Sequence, residues 1–194
     1  MKLQLAGVAV LLAVRTLTGQ APGLTNDEVD AAIAAAKQTA FKSSFVEARG
    51  RFAALFTVIV QGPVGRTMDL AREHFETYKP LKASDVPAEL RAHAVTFTVL
   101  QHGSAQIEIK NVVIMPAGAS SRDHAIQPLP ANPSGRDAPP RTWRPKFGAD
   151  PPGKALFHRF AESALPAGDL QIIVATESGD EKYTVKAQER DRIR

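Results

Sequence analysis

Residues 52–78 read FAALFTVIVQGPVGRTMDLAREHFETY. Phe52 to Val60 is a continuous apolar run rich in β-branched and aromatic residues, which predicts a buried strand. Gly62-Pro63 breaks it. Val64, Met68, Ala71, Phe75 and Tyr78 then recur at steps of 4, 3, 4 and 3, one face of a helix over 63–78 with Pro63 at its first position. A strand running straight into a helix predicts a mixed fold, with the helix packed on the sheet through Met68, Phe75 and Tyr78.

On the N-terminal side, Thr25 and Glu28 form a capping-box pattern, and Val29, Ile33, Ala36 and Ala40 follow at helical spacing. A small helix over 26–40 is expected there. Its face is mostly Ala, so it should bury little and sit at the edge. Ser84-Asp85 marks a short helical turn through Leu90.

On the C-terminal side the pattern is period two. Val95, Phe97 and Val99 alternate with Thr96 and Thr98; Ile107 and Ile109 alternate with Glu108 and Lys110 and lead into Val112 to Met115. With a Gly-containing turn over 101–104, this predicts a hairpin. Residues 155–160 form a shorter strand candidate. Leu170–Ala175 and Lys182–Ala187 flank Ser178-Gly179-Asp180, a second hairpin. The expected fold is α+β: a mostly antiparallel β-sheet or sandwich of about six short strands, one amphipathic helix packed on it and a small N-terminal helix. The order over 52–100 would also permit one parallel crossover.

The 194 residues hold 44% apolar and 23% charged residues, one domain's worth of ordinary globular sequence. There is no cysteine, which excludes disulfides, thiol nucleophiles and thiolate metal sites. Residues 1–20, MKLQLAGVAVLLAVRTLTGQ, show a short basic start, an apolar stretch over Leu3–Val14 and small residues after it, the order of a secretory signal peptide. That stretch is shorter than the roughly 20 residues a membrane span needs. The expectation is a signal peptide over 1–20, a single domain over 21–194, and no transmembrane segment after signal removal. Export without cysteine points to a bacterial periplasm or medium. Removing residues 1–20 takes away Lys2 and Arg15 and leaves 22 basic and 20 acidic residues, a net of +2. Mixed charge of that kind gives no reason to expect a nucleic-acid partner.

Residues 117–154 are unusual. They carry eight of the fourteen prolines, six basic residues against three acidic ones, and the only tryptophan. A loop this long in a compact domain invites a functional reading. Arg141, Trp143, Arg144 and Lys146 cluster there, and Arg and Trp are the residue types enriched at interface hot spots. The plainer reading is that Trp143 pins the loop to the sheet while the cations point outward.

No lipase elbow, zinc-protease helix, phosphate loop or dinucleotide fingerprint is present. No cofactor or metal is implied. Gly62, Gly65, Arg66 and Thr67 form a strand–turn–helix start that could hold an anion on backbone N–H groups, although turning and capping explain the glycines equally well. A scattered hydrolase or transferase site from Arg66, His93, His102 and Glu108 is the enzymatic alternative. It requires those side chains to converge.

An exported N-terminus, a capped Ala-rich helix, VIVQGPVGRTMDLAREHFETYKP over 58–80, the Pro-rich middle and LPAGDLQIIVATESGDEKYTV over 165–185 together resemble exported bacterial proteins of no assigned function. The resemblance covers most of the mature chain and implies export, with no activity or site residue to carry over. The leading expectation is a non-enzymatic exported protein that binds another protein or a cell-envelope component through the basic Pro/Trp loop.

Overall fold

The computed structural model describes residues 23–37, 44–51, 55–102, 107–116, 118–119, 122–131, 138–140, 143 and 154–190. The fold is α+β, with two antiparallel sheets facing each other. Among the described residues there are seven strands: β1 (Val46–Glu47), β2 (Phe56–Gln61), β3 (Ala94–Gln101), β4 (Ile109–Pro116), β5 (Lys154–Ala161), β6 (Leu170–Thr176) and β7 (Gly179–Val185). Their helical companions are α1 (Asn26–Ala36), α2 (Pro63–Glu76), α3 (Ala88–Arg91) and α4 (Ala187–Arg190). One sheet has the order β1-β2-β3-β5 and the other β4-β6-β7.

The apolar run around residue 56 becomes β2, and Gly62 and Pro63 end it and start α2 as expected. Residues 52–54 of the predicted strand, and 38–40 of the predicted first helix, lie outside the described residues. β2 and β3 pair antiparallel, Val58 opposite Val99, so the permitted parallel crossover does not occur. The β6–β7 hairpin forms as expected, Ile172 opposite Tyr183, with Gly179 at positive φ closing its turn.

The expected hairpin of β3 with β4 is corrected. β3 lies between β2 and β5, and β4 pairs with β6 in the other sheet. Alternating sequence marks one buried face but not the neighbour along the hydrogen bonds. Here the alternating residues meet face to face instead. Val95, Phe97 and Val99 of β3 share one core with Val58, Val60, Val112, Ile114, Phe160, Leu170, Ile172 and Tyr183. Phe97 and Phe160 pack edge to face, 5.0 Å between ring centroids.

The helical layer also differs from expectation. Met68, Ala71 and Phe75 of α2 pack with Val29, Ile33 and Ala36 of α1 and with Leu81, Ala83 and Val86, in a second cluster that includes no strand residue. α1 therefore buries a full face and is not a loose edge helix. Its start is held by the predicted capping box: the Thr25 N–H donates to Glu28 Oε2 at 2.8 Å. Tyr78 lies past the end of α2, 96% exposed and at φ 55°, so it packs on nothing.

Polar residues tie α2 to the sheet. Asp69 accepts from Gln61 Nε2 at 2.8 Å and from the Ser44 hydroxyl at 2.7 Å, all three residues buried. Gly65 sits against the Ser44 carbonyl so closely that a Cβ there would lie 2.0 Å from its oxygen.

The two sheets are stitched at both sides. Arg49 and Thr184 form an antiparallel bridge that joins the β1 side to β7. Across the open side, Ile126 exchanges two backbone bonds with Ile114 of β4. Three residues later the Leu129 N–H donates to the Arg159 carbonyl of β5 at 2.6 Å. Segment 126–129 therefore spans the gap between the two sheets.

Candidate functional site

The Gly62–Thr67 turn is assembled as the sequence implies, but its polar groups face inward. Gly62 is the N-cap of α2 and contributes no side-chain cap bond. The Thr67 hydroxyl, fully buried, donates back to the Pro63 carbonyl at 3.0 Å. Arg66 is 8% exposed and donates to the carbonyls of Glu89, Ala92 and Ala94 at 3.0–3.2 Å. Its guanidinium fork thus fastens α3 and the start of β3 to α2. The Gly65 contact with Ser44 fills the remaining space.

The four residues of the scattered enzymatic alternative are not gathered. Arg66 is spent on main-chain carbonyls. His93 precedes β3, and its Nδ1 lies 3.2 Å from Glu162 Oε2. His102 follows β3, and its Nε2 lies 2.6 Å from the Thr57 hydroxyl. Nine residue steps along β3 at about 3.3 Å each put the two histidines roughly 30 Å apart. Glu108 is exposed at the start of β4. Among the described residues no group of three or more His, Asp or Glu is placed to hold a metal.

One buried polar cluster lies at the end of the sandwich. Glu181, facing inward on β7, accepts from the Tyr183 hydroxyl at 2.7 Å, from Arg51 Nη2 at 2.6 Å and from the Leu55 N–H at 3.2 Å. Burial, and then the adjacent Glu181 carboxylate, push the Tyr183 hydroxyl far above its ordinary range. Tyr183 is a fixed donor, and the cluster clamps the entrance to β2 against β7. This role was legible in part: Glu181, Tyr183 and Val185 share one phase of the alternation, which places the carboxylate indoors. Ser44 and Asp69 left no such sign, because they are twenty-five residues apart and only the fold joins them.

His158 is a further inward ionisable group. It faces Phe97 across the β3–β5 ladder, and its Nε2 is buried without a hydrogen-bond partner. Burial lowers its pKa from the usual imidazole range.

The long connection runs from β4 to β5. Its first part is built into the protein: Ile126 and Leu129 bridge the sheets, and Arg122 pairs with Asp180 in the β6–β7 hairpin. Ala119 and Ala125 pack on Val113, Met115 and Ile173. Farther on, Pro140 is buried, and half-buried Trp143 donates its N–H to the Pro140 carbonyl at 2.9 Å. Arg141, Arg144 and Lys146 lie outside the described residues. No helix among the described residues is long and apolar enough to cross a membrane.

Comparisons with protein-family models, with curated proteins and with solved structures find no match.

Proposed function

We propose that the chain is an exported, non-enzymatic bacterial binding protein that recognises a protein or cell-envelope component through the β4–β5 connection. One observation carries this reading. The connection is fastened to both sheets, through Ile126 on Ile114 and Leu129 on Arg159, before its basic Trp-bearing part begins. A recognition segment needs such fixed points if its cations are to reach a partner in a defined place. The inward use of Arg66 and Thr67, and the separation of His93 from His102, weigh against the enzymatic alternative.

Export is part of the same proposal. Leu24 is already bound into the fold, its N–H donating to the Arg91 carbonyl at 2.8 Å. A cut between residues 19 and 22 would leave that bond intact. The mature protein should begin near Gln20 to Pro22; recovery of Met1 or Lys2 on a cytosolic product contradicts export.

The experiment for binding immobilises the mature protein and a variant in which residues 132–150 are replaced by a Gly-Ser linker. Both are exposed to envelope extract of the producing cell. The intact protein should retain a saturable component that the variant does not. Equal retention by both, or by neither, overturns the reading.

A further inference from the structure

Among the described residues β5 is the outer strand of its sheet, and its edge is only partly covered. The direction of each backbone group follows from the ladder. The Arg159 carbonyl points away from β3, since it accepts from Leu129. The Glu162 N–H points toward β3's side, since it donates to the His93 carbonyl. In an antiparallel ladder the outward groups alternate along the strand. Ala155, Phe157 and Arg159 therefore present both N–H and C=O to the free edge, while Leu156, His158 and Phe160 bond to β3. Among the described residues only the Arg159 carbonyl of this outward set has a partner.

The matching edge of β4 carries more cover. The Val112 N–H is taken by its neighbour's Asn111 Oδ1, Ile114 pairs with Ile126, and the Pro116 carbonyl accepts from Ala119. Such covering is how sheet proteins ordinarily protect an outer strand. Among the described residues β5 has one bond of that kind at its far end and none from Ala155 to Phe157.

The edge also has a sign. Lys154 and Arg159 lie on β5, and the strand contains no carboxylate. A second copy of β5 would bring Lys154 and Arg159 against their own kind, which disfavours self-pairing. We propose that β5 receives an extended, carboxylate-bearing peptide segment as a fifth strand of the sheet β1-β2-β3-β5. The backbone groups of Ala155 and Phe157, with the Arg159 N–H, supply the ladder; Lys154 and Arg159 select acidic side chains. This goes beyond the loop reading and does not rest on it, since β5 stands whether or not the loop binds.

The test is amide hydrogen exchange on the mature protein with the peptide Ac-TEVEVET-NH2 as probe. In the free protein the amides of Ala155, Phe157 and Arg159 should exchange fast and those of Leu156, His158 and Phe160 slowly. With the peptide at about ten times its dissociation constant, exchange of the fast set should slow about tenfold. The lysine counterpart, Ac-TKVKVKT-NH2, should not protect them. The acidic peptide N-methylated on its edge-facing amides should also fail, without any change to the protein. The Gly-Ser loop variant should still be protected, which separates this proposal from the loop reading. Slow exchange at Ala155 and Phe157 in the free protein overturns the proposal, as does peptide binding without protection, no binding of the acidic peptide, or equal protection by the lysine peptide.

Discussion

Arg49 and Thr184 exchange two main-chain hydrogen bonds, 2.8 and 2.9 Å long, and by doing so join two sheets that share no strand. Arg49 also pairs with Glu189 at 2.6 Å, which brings the C-terminal helix to the same seam. The opposite seam is closed by Ile126 and Leu129. The order therefore runs β5-β3-β2-β1, across Arg49 to β7-β6-β4, and back to β5 through the connection. The first half of the connection is structural, and the functional proposal concerns only the second.

Arg66 holds three main-chain carbonyls, that of Ala94 buried and those of Glu89 and Ala92 part-buried. Arg66→Leu leaves them without their donor and should cost about 1–3 kcal/mol, the penalty of one unsatisfied buried group. Arg66→Lys keeps the charge but not the fork, and should recover only part of that loss. Urea unfolding of the three proteins measures both. Unchanged stability in Arg66→Leu contradicts the structural role and reopens the anion reading.

Gly65→Ala should be costly because its Cβ would meet the Ser44 carbonyl at 2.0 Å. The segment before β1 must move, and the Ser44–Asp69 bond with it, so a loss of about 1–3 kcal/mol is expected from overpacking. Gly168→Ala, with open space around it but φ +83°, isolates the cost of backbone strain alone. The Gly65 change should be the larger in thermal unfolding.

Tyr78→Gly should be neutral or stabilising by about 0.5–1 kcal/mol, because glycine relieves the positive φ just past a helix end. The exposed ring has no packing to lose. A clear destabilisation would show that Tyr78 packs after all.

The helix from Pro63, the strand before it and the β6–β7 hairpin were all legible, because each rests on local signals: a breaker pair, a 3.6-residue stripe, a turn between alternating runs. Strand partners were not. β3 and β4 carry the alternation of a hairpin, yet the same alternation serves two strands that face each other across a core. The fate of Arg66 was equally hidden. An arginine beside glycines at a helix start looks like an anion ligand until the carbonyls of Glu89, Ala92 and Ala94 arrive from residues more than twenty positions away.

His158 predicts a pH dependence. Its pKa in the folded state is lowered by burial, so the unfolded chain binds its proton more readily. Its contribution is therefore fully felt above the unfolded value of about 6.5 and is lost as pH falls from there toward the folded value. Stability should decline through that window, and His158→Phe should flatten the decline. Equilibrium unfolding between pH 8 and pH 5 checks this; an unchanged slope in the variant contradicts it.

The measurement that bears most directly on the central claim compares the intact protein with Arg141→Ala/Arg144→Ala/Lys146→Ala, with Trp143 left in place to hold its turn. Affinity for the retained envelope component and thermal midpoint are read on the same samples. The account predicts that the dissociation constant rises about tenfold or more, since each lost charge contact at an interface is worth roughly 0.5–1 kcal/mol, while the midpoint stays where it was. An unchanged dissociation constant, or a midpoint that falls with the affinity, would contradict it.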